Sequence, residues 1–344
     1  MITRNQPNAR IGWLDRDRPA IDVLATEPHF AEHLLPIWDT LPPTMRGAFV
    51  MPAHHAPTAA RLGIRPGHPR ADAVLVASWG DHKRARTYGY QQIARIEHGV
   101  GQWFVGDDHP SYAGGRGAED VGLFLVPNAY CGDRWQAAYP AARVAVVGCP
   151  KIDRPPIYFP ADPPVVVVSF HWGGSHIPEA GSAFDDFAAA VIGLRDDERF
   201  RIAVHAHPKA AHHIEPWARR HRIDFIPTFD QVLQVAAAYV CDGVSTLYEF
   251  ASTGRPVVVL NAAAYRPHVN HGLRFWDEAN VGVQVDDPAD MADAIVEALR
   301  DRPAQRRQRE ASVRRVYAHR GDAARRAARA ITSWLRETRS EVAA

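Results

Sequence analysis

Four short polar segments hold the side chains best suited to chemistry, and each follows a run of strand character. His98-Gly99-Val100-Gly101 follows Ile93–Glu97, and Ser169-Phe170-His171-Trp172-Gly173-Gly174-Ser175-His176 follows a run of valines. His205-Ala206-His207-Pro208-Lys209 follows Arg201–Val204, and Asp242-Gly243-Val244-Ser245-Thr246 opens a helical stretch that contains Glu249. A neutral imidazole such as that of His98 can take a proton from an attacking hydroxyl, and glycines after it let backbone approach a ligand; an incidental histidine in a turn is the plain alternative. His207 and Lys209 suit phosphate oxygens. His205 and His207 share a strand face and suggest a metal pair, but two ligands without a third are too few for zinc. Ser245 and Thr246 either cap a helix or offer hydroxyls and free N–H groups to a diphosphate, and Glu249 either closes a capping box or reaches a ribose hydroxyl. Asp107-Asp108-His109, in a Gly/Pro-rich stretch, reads as a solvated turn, and His54-His55 has no informative context.

Such segments need strands to present them, and the sequence supplies two sets. Ile21–Ala25, Ala48–Met51, Ala73–Ala77, Ile93–Glu97, Gly122–Val126 and Arg143–Val147 are strand candidates, with Phe30–Trp38, Ala53–Leu62 and Ala129–Ala138 as helices between them. Arg154 to Pro164 has five prolines in eleven residues and reads as a linker, since proline donates no backbone hydrogen bond. Beyond it strands at Val165–Ser169, Arg201–Ala206, Asp224–Ile226, Tyr239–Asp242, Val257–Leu260 and Gly282–Val285 alternate with helices at Ala183–Arg195, Ala210–Arg222, Asp230–Ala238, Thr246–Thr253 and Pro288–Leu299. This is α/β alternation of the βαβ type. It implies an N-terminal domain over 1–153, the linker over 154–164, a second domain over 165–300 and basic C-terminal helices over 301–344, broken at Gly321. In doubly wound sheets ligands bind at the carboxyl ends of the strands, which places the polar segments in a crevice between the domains.

Composition narrows the class. The 344 residues are 46% hydrophobic and 23% charged, which suits a globular chain. Apolar runs are too short to span a bilayer, the amino terminus is too polar for a signal peptide, and three scattered cysteines make neither a disulfide framework nor a thiolate zinc cage. The expectation is a cytoplasmic protein, with a peripheral membrane position as the variant. The net charge of +1 hides an asymmetry: Arg300 to Glu341 holds thirteen Arg and five acids, so that segment carries +8 and the remainder −7. An Arg-rich solvated helix face explains this most simply, and it would also suit an anionic acceptor.

The order His98-Gly, GCPKID over Gly148–Asp153, a valine strand with an aromatic turn, His207-Pro208, and DGVSTLYEFASTGRPVVVL resembles the CDP-glycerol glycerophosphotransferases of teichoic acid synthesis, members of the GT-B transferases. The likeness spans roughly residues 93 to 260. It implies two Rossmann-like domains facing each other across a cleft. His98 matches the family's base, His207 a histidine associated with the donor phosphates, and Asp242, Ser245 and Glu249 the donor-binding segment. Gly148, Pro150 and Asp153 match the domain junction. The chain departs from the family at Glu97, which stands where the family has Trp, at Val244, which stands for the first Ser of a pair, and at Phe170-His171-Trp172-Gly173, which replaces Pro-Thr-Trp-Arg; His171 stands in for the missing arginine.

The resemblance implies a glycosyltransferase that moves a sugar from a nucleotide-diphosphate donor to an acceptor hydroxyl with His98 as general base. The donor contacts would be Gly99, His171, Gly173, Gly174, His207, Lys209, Asp242, Ser245, Thr246 and Glu249, and neither a metal nor a cofactor is required. The alternatives are a CDP-glycerol glycerophosphotransferase releasing CMP, a nucleotide-sugar epimerase, and a non-catalytic nucleotide-sugar-binding protein. The acceptor is a polymer, a lipid-linked intermediate, a small metabolite or a nucleic acid.

Overall fold

The computed structural model describes residues 19–100, 113–173, 181–242, 245–261 and 281–343. These form two compact units, the first from the described residues up to His98, those of Asp108–Asp153 and those after Tyr317, and the second from those of Gly99–Asp107 and of Arg154–Tyr317.

In the first unit six parallel strands, β1 (Ile21–Leu24), β2 (Arg46–Val50), β3 (Ala73–Val76), β4 (Gln92–Ile96), β5 (Val121–Val126) and β6 (Arg143–Val146), lie in the order β2-β1-β3-β4-β5-β6. The central strands are apolar on both faces, as a doubly covered parallel sheet requires. Ile21, Val23, Leu75, Ile96 and Leu125 share one core with α1 (Pro28–Thr40) and the last helix, α11 (Ala323–Ala343). Val74, Val76, Ile93 and Phe124 share the other with Trp135 of α4 (Ala129–Ala138). α2 (Ala56–Arg61) and α3 (Trp79–Tyr88) complete the unit.

In the second unit β7 (Val165–Phe170), β8 (Arg201–Ala206), β9 (Asp224–Phe225), β10 (Ala236–Cys241), β11 (Val257–Leu260) and β12 (Val283–Val285) run parallel in the order β12-β11-β10-β7-β8-β9. The flanking helices are α5 (Phe184–Gly193), α6 (Ala211–Arg220), α7 (Phe229–Val235), α8 (Thr246–Ala251), α9 (Met291–Arg300) and α10 (Pro303–Val316). The strand order reverses direction between β7 and β10, as it does between β1 and β3 in the first unit. Those two reversals are where helices diverge to opposite faces and leave a crevice at the strands' carboxyl ends.

Two expectations about segments change. The proline stretch does not stand apart: Phe159 N–H donates to the carbonyl of Gln234 at 2.7 Å, and the Arg255 guanidinium lies 4.5 Å from the Tyr158 ring centre, so it is fastened to the second unit. The basic helices are not one segment either. Buried Arg309 of α10 donates to Asp301 at 2.9 Å within the second unit, whereas α11 packs on α1 in the first. The Arg side chains pair largely with acids of their own segment, as in Arg306–Asp301 at 2.7 Å and Arg314–Glu310 at 2.6 Å, a solvated arrangement of small energetic weight.

The GCPKID segment is what receives α11. Asp153 accepts from the backbone N–H groups of Ala323 at 3.1 Å and Ala324 at 2.7 Å, capping that helix from a distance. Gly148, at φ 94°, lies against the carbonyl of Ala318, where an added Cβ would come within 2.1 Å of the oxygen. Gly148→Ala is therefore expected to destabilise the chain by about 2–4 kcal/mol, from left-handed strain and the clash together, read by chemical denaturation. Wild-type stability in that variant would contradict this role for the segment.

Candidate functional site

The carboxyl ends of β7 and β8 bring four side chains together. The His171 and His207 ring centres are 6.0 Å apart, Trp172 and His207 are 6.2 Å apart, and the Lys209 ammonium sits 4.3 Å from the Trp172 ring centre. An ammonium so close to an indole face is held by cation–π attraction. The Lys209 backbone N–H donates to His207 Nδ1 at 3.2 Å, which turns the imidazole toward its own strand end. Lys209 is exposed and His171, Trp172 and His207 half-buried, so the cluster meets solvent. Gly173 is exposed with φ 64°, a left-handed turn that glycine makes without steric cost. Gly174 lies outside the described residues, as do Gly243, Val244 and Asp107-Asp108-His109.

Asp242, at the end of β10, underlies this cluster. It is wholly buried, and its carboxylate accepts from the His171 N–H at 3.0 Å and the Ala183 N–H at 2.9 Å. Asp242 thus ties β10 to the loop after β7 and to the start of α5, across the strand-order reversal. In this structure both of its oxygens accept from backbone, and it positions His171. Burial pushes its pKa up to about 7, against the downward pull of those N–H bonds.

The remaining second-unit candidates divide. Ser245 and Thr246 are half-buried at the start of α8, and the Thr246 hydroxyl lies 3.0 Å from the Tyr239 hydroxyl. Glu249 is 2% exposed in the first turn of α8, its N–H donates to the Ser245 carbonyl at 3.3 Å, and the Ser245 side chain makes no cap bond. His205 Nδ1 meets the Ile226 carbonyl at 2.9 Å, and the residue is 7% exposed. Among the described residues no group of three or more His, Cys, Asp or Glu side chains is arranged to hold a metal ion.

In the first unit His98 lies just past β4, half-buried, with its Nδ1 2.5 Å from the Ala77 carbonyl oxygen. A carbonyl can only accept, so neutral His98 carries its proton on Nδ1 and its basic lone pair on Nε2. Its ring meets Phe30 edge-on at 5.0 Å and lies 6.2 Å from His33. Burial holds the His33 pKa well below the ordinary imidazole value, reinforced by the charges of Lys151, His98 and His29. Gly99, half-buried, forms the bend that follows. At the β1–β3 reversal, Asp81 of α3 accepts from the Thr26 N–H at 2.8 Å and the Thr26 hydroxyl at 2.5 Å; burial raises its pKa to about 6. Each unit therefore has a buried aspartate fastening the two loops at its crossover. Glu97, where the resembled family has Trp, is buried and accepts from Trp135 Nε1 at 3.1 Å, an internal contact under the site.

Trp172 joins the cationic cluster, and Asp81 pairs with Thr26, without either role being evident from the sequence. An aromatic residue two positions past a buried strand was the available signal for Trp172. Asp81 is three residues after Ser78, whose hydroxyl accepts the Asp81 N–H at 2.9 Å, a helix-start pattern that was there to be found.

No family model matches this chain, and no curated protein does. Solved structures match it over nearly its whole length. An S. aureus MnaA–UDP structure is 17% identical with a TM-score of 0.64, covering 92% of this chain and 97% of that one. A variant of the wall teichoic acid polymerase TagF is 12% identical with a TM-score of 0.64, covering 94% and 91%. The UDP-GlcNAc 2-epimerase from Neisseria meningitidis bound to UDP-GlcNAc is 16% identical with a TM-score of 0.56, covering 93% and 100%. The fold is GT-B, with a parallel α/β sheet in each of two units. Among the described residues no helix is long and apolar enough to cross a membrane.

Proposed function

We propose that this chain transfers a sugar from a nucleoside-diphosphate donor to an acceptor hydroxyl. The observation that carries the proposal is the His171–Trp172–His207–Lys209 cluster at the carboxyl ends of β7 and β8, beside the strand-order reversal where doubly wound sheets take phosphorylated ligands. Cationic and N–H donors there hold the diphosphate and stabilise the charge it gains as it leaves. Ser245 adds a hydroxyl to the same edge, and Glu249 is assigned to the ribose.

His98 is assigned as the base. Its Nδ1 contact with Ala77 leaves Nε2 as the atom that receives the acceptor's proton while the acceptor oxygen bonds to the anomeric carbon. The bond from that carbon to the diphosphate breaks, and its electron pair leaves with the nucleoside diphosphate. A second reading, nucleotide-sugar epimerisation, is favoured by the full-length match to the epimerase bound to UDP-GlcNAc. Glycerophosphate transfer, as the TagF likeness suggests, would attack phosphorus instead.

The test has two stages. Thermal shifts of the chain with CDP-, UDP-, GDP- and dTDP-linked compounds identify the donor, because a ligand selective for the native state raises its melting temperature. Product analysis then separates the reactions. A nucleoside diphosphate released only with acceptor present supports sugar transfer, CMP indicates attack at phosphorus, and an isomerised sugar without acceptor indicates epimerisation. Binding of every nucleotide to the wild type with no turnover of any would overturn catalysis.

A further inference from the structure

Asn261 follows the carboxyl end of β11, next to the strand that precedes Asp242. The strands pair Cys241 with Val259, so Asn261 lies two residues beyond that pair and one strand over, about 5 Å away sideways. It is 8% exposed, and its backbone N–H donates to the Val285 carbonyl at 2.8 Å. Its side-chain amide can be oriented without ambiguity. The nitrogen Nδ2 lies 2.8 Å from an Asp286 carboxylate oxygen and 3.3 Å from Gln284 Oε1. A carboxylate only accepts, and Gln284 Nε2 faces the Gly282 carbonyl at 3.4 Å, which leaves its oxygen toward Asn261. Nδ2 is therefore the donor to both, and Oδ1 points the other way. That oxygen is buried and has no hydrogen-bond partner among the described residues. A buried acceptor left unpaired is uncommon and calls for a reason.

We infer that Asn261 Oδ1 is a specificity contact of the donor site, accepting a hydrogen bond from an O–H or N–H of the bound donor. This rests on the function proposed above, since it takes the carboxyl edge of the second sheet to be the donor site. Asp286 and Gln284 act through Asn261: they spend its donors and so present the site with an acceptor alone, which rejects a ligand lacking the matching hydrogen. The hydrogen comes either from the nucleoside or from the transferred group.

Calorimetric titration of the full chain separates these sources, with UDP and CDP as nucleotides, and UDP-GlcNAc and CDP-glycerol as extended donors. For whichever pair binds the wild type, Asn261→Ala is expected to raise the Kd of the extended donor about 10-fold or more. A matching rise for the nucleotide assigns the contact to the nucleoside, and an unchanged nucleotide Kd assigns it to the transferred group. Gln284→Ala, at an exposed residue, releases one of the two acceptors that aim the amide and is expected to weaken the same ligand by about 2- to 3-fold. It serves if Asn261→Ala does not fold. Wild-type affinity for every ligand in the folded variants overturns the inference and leaves the proposed function standing. Failure of these four and of the GDP- and dTDP-linked compounds to bind the wild type overturns both.

Discussion

Replacing His98 by alanine is expected to lower turnover by about 10²- to 10⁴-fold while the Kd of the nucleotide stays within about 2-fold of wild type. The split follows from where the residue is. His98 belongs to the first unit, beside Phe30 and His33, whereas the cationic cluster assigned to the donor is built from the second. On the proposed function, removing the imidazole takes away the proton acceptor and leaves the phosphate contacts intact. Steady-state kinetics with the donor found in the thermal screen, paired with calorimetry, reads both quantities. Unchanged turnover would remove His98 from the reaction, and a parallel loss of nucleotide affinity would mean that it holds the donor.

Asp242→Ala is expected to be the most damaging change in the second unit. It strips the N–H groups of His171 and Ala183 of their acceptor in a fully buried place. Two unsatisfied donors cost about 2–5 kcal/mol, and the loop bearing His171 and Trp172 loses its anchor, so donor affinity falls together with stability. Asp242→Asn separates charge from geometry, since an amide oxygen still accepts. The wild-type carboxyl has a pKa raised from 3.8 to about 7. The native state therefore holds a proton that the unfolded state has released, and this contributes stability that is full below pH 3.8 and is lost as pH rises through 7. Asp81, raised to about 6, acts in the same direction over a narrower window. Asp242→Asn should flatten the decline in stability between pH 4 and 7, and denaturant midpoints measured across that range check it. A decline as steep as the wild type's would show that Asp242 is ionised throughout.

Strand positions were legible because parallel sheets covered on both faces leave unbroken apolar runs, such as the four valines that open β7. The adjoining boundary was not. Ala236–Ala238 reads as the end of a helix on propensity, yet it forms the start of β10, because Ala236 and Ala238 pair with Val165 and Val166. Tertiary pairing overrides a residue type with no strong demand of its own. Helix α3 escaped for a different reason. WGDHKRARTY has no apolar stripe, and its buried residues are Asp81, His82 and Ala85. Its ends were the legible part, with Ser78 capping the start and Gly89 in the left-handed conformation at the close.

The candidate site shows the same division. Histidine and lysine after a strand point to anions in sequence alone, and the structure gathers His171, His207 and Lys209 on adjacent strand ends. What sequence does not convey is whether a polar side chain faces a ligand or the protein. Asp242 meets backbone N–H groups and Thr246 the Tyr239 hydroxyl, and only the pairing of distant segments decides that. Asn261 had no local mark at all; its meaning comes from Asp286 and Gln284 on the neighbouring strand.

Amide hydrogen exchange with and without the nucleotide selected by the thermal screen tests most directly whether the second sheet's carboxyl edge is the donor site. Protection on nucleotide addition should concentrate in the segments after β7 and β8, around His171–Gly173 and His207–Lys209, and at Ser245, and should shrink when Lys209 is replaced by alanine. Protection confined to other parts of the chain, with those segments unchanged while the nucleotide is bound, would contradict the assignment.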